Sequence, residues 1–238
     1  MYHSYLNLRD MDVHALDGEA GRISDIYFDS LLWRIRYFVV DAGNWLSRRK
    51  VLVTPQAVQP IGADDNGLHI DLTRKHIAES PPMDEARPVS REYEIALHEF
   101  FNWPPYWMVD ELNFPILAYG GDLQREQVLK RIQKRRAEEA EDTHLRSMEE
   151  VRGYHIEDSD DEKNGYIYDF LIAEHGWNIA ELVINARKWL PGRKITLSPF
   201  HIEQVRWADS AVRFDLDTAA IDNRPDYEPE KWLAESAD

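Results

Sequence analysis

The sequence contains no cysteine and no long apolar run. Without cysteine, disulfides, thiolate metal sites and cysteine nucleophiles are excluded, and a reducing compartment is the default expectation. No apolar run reaches the length of about 18 residues that a membrane-spanning helix needs. The N-terminal stretch MYHSYLNLRD has neither a basic n-region nor an apolar h-region. We therefore expect a cytoplasmic protein with no transmembrane segment.

Short catalytic motifs are also missing. The sequence has no HExxH zinc pair, no GxSxG nucleophile elbow, no phosphate-binding glycine loop and no dinucleotide fingerprint. Its nine histidines are scattered without an HxH pair, so no metal ligand set is indicated. We expect a protein that is not an enzyme and that binds no cofactor and no metal.

Basic residues are outnumbered, with 28 Lys and Arg against 44 Asp and Glu, and the formal net charge is −16. A field of this sign repels phosphate backbones and anionic membrane surfaces, so it disfavours nucleic acid as a partner. The one concentrated basic run is KRIQKRR at residues 130–136, and AEEAED follows it at once. Alternating charge blocks of this kind are typical of a solvated helix face.

What the chain does contain is an internal repeat. The stretch DAGNWLSRRKVLVTP at residues 41–55 is similar to NARKWLPGRKITLSP at residues 185–199, at an offset of 144. Upstream, LRDMDV from Leu8 matches LRSMEEV from Leu145, which predicts seven extra residues in the first loop of the second copy. Pairs that keep their residue type at the offset of 144 include Gly21 with Gly165, Asp25 with Asp169, Trp33 with Trp177, Trp45 with Trp189, Arg49 with Arg193, and Lys50 with Lys194.

Each copy is predicted to be a small all-β unit. In the first copy, RISDIYFD (22–29), WRIRYFVVDA (33–42), KVLVT (50–54) and GLHIDL (67–72) are typical of strands, and turn signals such as Asn66-Gly67 separate them. We expect about five or six strands per copy, closed into a barrel that removes its own edges.

The segment between the copies is of another kind. SREYEIALHEFFNW at residues 90–103 predicts an amphipathic helix with Ser90 as its N-cap, ending before Pro104. A second helix is predicted from Asp122 to about Asp142. The predicted organisation is therefore a first β-barrel at residues 1–83, a helical, aromatic-rich linker at 84–143, a second β-barrel at 144–228 and an acidic tail at 229–238.

These residues resemble the PRC-barrel family, in tandem. The shared pattern is a glycine before a strand with Asp (GRISDIYFD, GYIYDFLIA), a Trp-led strand (WRIRYFVVDA, WNIAELVINA), and WL followed by RK and a strand to Pro. The resemblance covers about residues 6–83 and 144–227, and EFFNWPPYWMVDE at 99–111 resembles the linker of tandem stand-alone members. It implies a mainly β fold with a helical linker, in which two small barrels arising from a duplication are used for docking.

Relatives in that family include the cytoplasmic domain of the photosynthetic reaction-centre H subunit and the C-terminal domain of a ribosome maturation factor. This chain lacks the membrane helix of the first and the separate N-terminal domain of the second. The resemblance therefore leaves two alternatives open: a photosynthesis-related accessory protein at the periphery of a membrane complex, and an RNA-processing or ribosome-associated factor.

The candidate binding residues are five aromatic side chains outside both repeats, which a barrel core does not explain. Either they join the two barrels, or they form a protein interface, where Trp and Tyr are enriched. The function we expect is a non-enzymatic scaffold that docks to a protein partner or to a second copy of itself. The five residues are Phe100, Phe101, Trp103, Tyr106 and Trp107.

Other candidates have simpler explanations. The acidic loop EDSDDEKN at residues 157–164 has the carboxylates that hard cations prefer, but it lacks the spacing of a calcium loop. Asp25 and Asp169 are expected to make a structural hydrogen bond or ion pair, for which Arg49 and Arg193 are candidate partners. The paired tryptophans are expected to cover barrel ends.

Overall fold

A computed structural model describes residues 1–62, 67–84, 88–109, 145–186 and 192–234. The chain is mainly β, with a large mixed sheet. The predicted helix from Asp122, the basic run at 130–136 and Trp189 lie outside the described residues.

The described strands and helices follow one another closely along the chain. The strands are β1 Tyr2–Ser4, β2 Asp12–Ala15, β3 Gly18–Asp29, β4 Arg34–Asp41, β5 Lys50–Val53, β6 Gly67–His69, β7 Leu145–Ser147, β8 His155–Glu157, β9 Lys163–Ala173, β10 Asn178–Asn185, β11 Lys194–Leu197, β12 Ile202–Arg206 and β13 Ala211–Phe214. The helices are α1 Tyr5–Leu8, α2 Arg74–Glu79, α3 Arg91–Phe101, α4 Tyr106–Val109, α5 Met148–Val151, α6 Thr218–Asp222 and α7 Pro229–Ala234.

The chain divides into two compact units. Unit 1 comprises Met1–Asp10, Asp25–Arg36 and Arg146–Asp238. Its strands follow the order β12-β13-β8-β9-β10-β11, with β13 and β8 parallel and the other neighbours antiparallel. Strand β1 adds to the second half of β9, where Ser4 lies opposite Leu171.

Unit 2 comprises Met11–Ser24 and Tyr37–Leu145. Strand β2 pairs antiparallel with β3 and parallel with β6, and β4 pairs antiparallel with β5. A single bridge between Val58 and Ile70 follows β5. Strands β2 and β6 of the first copy thus correspond to strands β8 and β13 of the second copy, and both pairs are parallel.

The sheet is not closed over the described residues. Two edges that closure would have removed are used for pairing instead, since β1 adds to β9 and β7 adds to β3. An added strand satisfies the backbone groups of a sheet edge as a barrel seam would. Two separate closed barrels therefore stay a prediction.

The first loop of the second copy is not seven residues longer. Ser4 caps α1 and Ser147 caps α5 in the same way, each accepting a backbone N–H three residues on, so these two serines correspond at an offset of 143. From Gly21 and Gly165 onward the matched residues are 144 positions apart. The second copy therefore has one more residue than the first between these points, in the β8–β9 hairpin. The predicted match of LRDMDV with LRSMEEV is therefore wrong. Leu8 is the last residue of helix α1, whereas Leu145 is the first residue of strand β7, so the two do not correspond in the structure.

Two glycines show why the repeat keeps this residue type. Gly21 has φ of 139° and Gly165 has φ of 145°, a region that side chains rarely adopt. A Cβ at Gly21 would collide with the backbone carbonyl of Asp41, and one at Gly165 would collide with that of Asn185. Each glycine therefore lets two strands of its copy approach closely.

The matched pair Trp33 and Trp177 also shares a backbone conformation, with φ of 51° and 52°. Both residues turn the chain before the next strand, so β4 begins at Arg34 and not at Trp33. The carbonyl of each accepts a backbone N–H at 2.8 Å, that of Trp33 from Ile179 and that of Trp177 from Ile35. These positions need a left-handed turn as well as a large ring.

Candidate functional site

The five predicted interface residues lie at the end of α3 and the start of α4, in unit 2. The Ser90 hydroxyl accepts the backbone N–H of Tyr93 at 3.2 Å, which confirms the predicted N-cap. Helix α3 ends two residues earlier than predicted because Asn102 adopts a left-handed φ of 55°. Two prolines follow, and the resulting turn carries the chain into α4.

The outer part of the group consists of Phe100, Phe101 and Trp103. Phe100 meets Phe101 edge-on at 4.9 Å between ring centroids, and Phe101 stacks on Trp103 at 4.2 Å. Phe100 is 41% exposed. This part therefore presents apolar rings to solvent.

The inner part is built around His98. Its ring lies 5.8 Å from that of Trp103, 6.0 Å from that of Tyr106 and 4.9 Å from that of Trp107. Tyr106 and Trp107 meet edge-on at 5.0 Å. The structure thus joins all five predicted residues into one set through His98, and we call this set the aromatic surface.

A buried group of polar side chains lies beneath the aromatic surface, and we call it the polar cluster. The Tyr37 hydroxyl of β4 donates to Oε1 of Glu94 at 3.0 Å and lies 2.8 Å from Nε2 of His98. The Tyr106 hydroxyl donates to the same Oε1 at 2.6 Å. Arg91 forms an ion pair with the other oxygen of Glu94 at 2.9 Å and covers the ring of Trp107 at 4.4 Å.

The proton positions in the polar cluster follow from these contacts. Since the single hydroxyl proton of Tyr37 goes to Glu94, the hydroxyl oxygen accepts from His98, so Nε2 of His98 carries a proton. Burial lowers the pKa of His98, with Arg91 adding to the effect, and this favours the neutral ring. Burial and the nearby Glu94 charge raise the pKa of Tyr37, which keeps its hydroxyl a donor. Tyr106 and Glu94 outweigh burial and raise the pKa of Arg91.

The polar cluster is better suited to holding the aromatic surface in place than to catalysis. Glu94 has no exposed surface and His98 is 3% exposed. A catalytic acid or base must reach its substrate directly or through one water. The polar cluster instead ties α3 and α4 to strand β4, and so holds the rings of the aromatic surface in place.

Sequence reasoning missed the polar cluster, although part of its pattern was visible. Arg91, Glu94 and His98 follow one another at helical spacings of three and four residues. Tyr37 is separated from Glu94 by 57 positions, and no local pattern connects the two. Only the fold brings them together.

Asp169 and Asp25 make structural hydrogen bonds, as expected, but Arg49 and Arg193 are not their partners. Asp169 accepts the Ser4 hydroxyl at 2.6 Å and the backbone N–H groups of Leu6 at 3.2 Å and Phe170 at 2.8 Å. Burial raises its pKa, and these hydrogen bonds oppose the rise. The sequence could not show this pairing because Ser4 lies 165 positions away.

Asp25 repeats the arrangement within unit 1. It accepts the Ser147 hydroxyl at 2.5 Å and the backbone N–H groups of Ile26 at 2.7 Å and Glu149 at 3.2 Å. Burial raises its pKa against these bonds as well. The Tyr5 hydroxyl makes a longer contact of 3.3 Å.

Arg49 and Arg193 bind backbone carbonyls instead of these carboxylates. Arg49 donates to the carbonyls of Ala78, Ser80 and Pro81 at the C-terminal end of α2. Arg193 donates to those of Asp222 and Arg224 at the C-terminal end of α6, and it also pairs with Asp226 at 2.7 Å. Each guanidinium therefore satisfies carbonyls that the end of a helix leaves open.

The acidic loop at residues 157–164 is organised by hydrogen bonds to Asp158, most of them from the loop itself. Asp158 is fully buried and accepts the backbone N–H groups of Asp160 and Glu162, the amide of Asn164 and the hydroxyl of Thr218. Burial alone would raise its pKa, but the hydrogen bonds from Thr218 and Asn164 lower it overall. Over the part of the chain that the structure describes, no three His, Asp or Glu side chains are grouped to hold a metal ion.

Comparison with protein-family models and with curated protein sequences finds no match to this chain. Among the described residues, no helix is long and apolar enough to cross a membrane. The interpretation of the site therefore rests on its geometry.

Proposed function

We propose that this protein is a non-enzymatic scaffold that docks a protein partner through the aromatic surface. The partner we propose presents an apolar patch ringed by Lys or Arg. The observation that carries the proposal is the open aromatic edge at Phe100, supported by a polar cluster in which Glu94 and His98 are buried.

The composition of the aromatic surface supports a protein partner. It contains Trp and Tyr, and Arg91 of the polar cluster covers the Trp107 ring. These three residue types contribute most to binding energy at protein interfaces. Ile95 and Phe100 on α3 are each 41% exposed, and they are two of the four large apolar side chains exposed among the described residues. Support from below limits the ordering cost of binding, because the rings are already positioned.

The charge around the surface favours a basic partner. Glu92 and Glu99 are exposed on α3 beside Ile95 and Phe100, and the whole chain carries a net charge of −16. Complementary charge steers encounter and suppresses wrong partners. The same charge opposes nucleic acid and anionic membranes, and the basic run at 130–136 lies outside the described residues.

We further propose that the scaffold consists of two PRC-type barrels derived from one duplicated module. The support is that matched positions carry matched contacts in the two copies. Asp25 and Asp169 each accept from a serine that caps a one-turn helix, and Arg49 and Arg193 each bind carbonyls at the C-terminal end of a helix. The left-handed turns at Trp33 and Trp177 add to this support.

Peptide selection tests the docking proposal without knowledge of the partner. A displayed random peptide library is selected on the wild-type protein and counter-selected on the double variant Ile95→Ser, Phe100→Ser. We expect enriched peptides with apolar and basic residues that bind the wild type about tenfold tighter than the double variant. Leu16→Ser is the matched control, because Leu16 is 64% exposed and lies outside the aromatic surface.

Two outcomes would overturn this proposal. One is a set of enriched peptides that bind the wild type and the double variant equally. The other is reversible self-association, seen by sedimentation velocity, that the double variant abolishes and Leu16→Ser leaves intact. In that case the occupant of the aromatic surface is a second copy of the chain.

A further inference from the structure

Unit 1 contains a cavity of about 200 Å³ that the proposed docking function does not use. It lies beside strands β1 and β9, with the start of β11 and helix α7 completing the wall. Its walls combine four aromatic rings, one ammonium group and one carboxylate, which belong to Tyr2, Tyr168, Tyr227, Trp232, Lys194 and Asp169.

The C-terminal segment is fixed over this cavity by named contacts. The backbone N–H of Tyr227 donates to the carbonyl of Lys194 at 2.7 Å, and Asp226 forms an isolated antiparallel β-bridge with Ile195. Helix α7 then brings the Trp232 ring edge-on to that of Tyr2, with 5.2 Å between centroids. The cavity is therefore a built feature of unit 1.

The polar groups of the cavity differ in what they can still bind. Asp169 already accepts one hydroxyl and two backbone N–H groups. Lys194 holds its ammonium 3.6 Å from the centroid of the Tyr168 ring, and no hydrogen-bond acceptor contacts it within the described ranges. Burial, Asp169 and Tyr168 raise the pKa of Tyr227, so its hydroxyl stays protonated. A ligand with a free acceptor thus suits the cavity better than one with a free donor.

The aromatic walls are not explained by the fold that the two copies share. At the offset of 144, Lys194 matches Lys50, but Tyr168 matches Ser24 and Tyr227 matches Met83. Trp232 lies beyond the repeat. Around a lysine that both copies carry, the second copy therefore has rings that the first copy lacks.

We propose that this cavity binds a small aromatic carboxylate, with its ring between the aromatic walls and its carboxylate accepting from Lys194. The volume supports this class, because a cavity of about 150 Å³ is enough for benzene. A single six-membered ring with one carboxylate group fits, and a nucleotide does not. The carboxylate gains a charge-assisted hydrogen bond, and the rings gain stacking contacts.

Isothermal titration calorimetry with benzoate and 4-hydroxybenzoate tests this proposal on the full chain. We expect saturable binding by the wild type at ligand concentrations up to about 10 mM, a range that detects weak affinity. Lys194→Met should weaken binding about tenfold or more, because it removes the charged donor. Lys50→Met is the matched control and should leave binding unchanged.

Further ligands and variants separate the alternatives. Benzyl alcohol, which has no charge, should bind about tenfold more weakly than benzoate. Tyr168→Ser, which introduces the residue of the first copy, should weaken binding in a protein whose far-ultraviolet circular dichroism is unchanged. The proposal is overturned by an absence of saturable binding, by equal effects of Lys194→Met and Lys50→Met, or by choline binding more tightly than benzoate.

Discussion

At the residue scale, Tyr37 is the side chain on which the aromatic surface most depends. Its hydroxyl donates to Glu94 and accepts from His98, and its ring lies edge-on to those of His98 and Tyr106. A buried carboxylate that loses a donor keeps its desolvation cost. The support beneath the aromatic surface can therefore be weakened without altering any exposed residue.

Tyr37→Phe should lower the free energy of unfolding by about 2–3 kcal/mol, because it leaves Glu94 short of a donor while keeping the ring. Tyr93→Phe is the control, since the Tyr93 hydroxyl donates only to the neutral carbonyl of Pro81 at 3.2 Å. Its loss should cost about 1 kcal/mol or less. Urea denaturation of both variants measures the difference, and a Tyr37→Phe loss no larger than that of Tyr93→Phe would contradict the role given to this hydroxyl.

His98 gives the polar cluster a pH dependence. Burial lowers the folded-state pKa of His98 below its ordinary value of 6.5, so the unfolded chain binds this proton more readily. The stabilising contribution is complete above pH 6.5 and is lost as the pH falls toward the folded-state pKa.

Lowering the pH from 7.5 to 5.5 should therefore cost the wild type more stability than it costs His98→Gln, whose side-chain amide still donates to Tyr37. Denaturation at the two pH values measures the difference. The exposed His76 provides a matched substitution. His76→Gln should leave the pH dependence as in the wild type. An unchanged pH dependence in His98→Gln would show that this residue is not the group that responds.

At the scale of secondary-structure elements, the sequence predicted where the strands lie better than it predicted which strands pair with each other. The stretches RISDIYFD, WRIRYFVVDA and KVLVT fall on β3, β4 and β5, because alternation and β-branching are local signals. The same signals could not show that β1 adds to β9 or that β7 adds to β3. Those pairings depend on contacts between residues more than a hundred positions apart, as with Ser4 and Asp169.

Gly165→Ala tests the close approach of β9 and β10 within unit 1. The added methyl group would collide with the carbonyl of Asn185 at a φ of 145°, whereas a Cβ at Gly153, with φ of 105°, would meet open space. Gly153→Ala should cost about 1–2 kcal/mol from backbone strain alone. Gly165→Ala should cost clearly more, as measured by thermal or urea unfolding, and equal costs would show that the strands can move apart freely.

At the scale of the whole molecule, the two features for which we propose a function lie where the copies differ. The aromatic surface belongs to the segment between the repeats, and the cavity uses rings that the first copy lacks. The matched residues, such as Arg49 and Arg193, bind backbone. The sequence could single out the five aromatic residues because the repeat accounts for its own residues and leaves these five over, and the structure brings their rings together. Their role as an interface stays a prediction.

Net charge gives the proposed docking a testable salt dependence. With −16 overall, association with a basic protein should be fast at low salt and should weaken as salt screens the charges. Association of two copies of the chain would show the opposite salt dependence, since like charges repel.

Site-specific photo-crosslinking tests the docking surface most directly. The photoreactive residue p-benzoylphenylalanine is placed at Phe100 in one variant and at Leu16 in another, and each is irradiated in an extract of the cells that make the protein. We predict a covalent adduct with a basic protein from position 100 and none with that protein from position 16. Identical adducts from both positions, or adducts with only a second copy of the chain, would contradict the account.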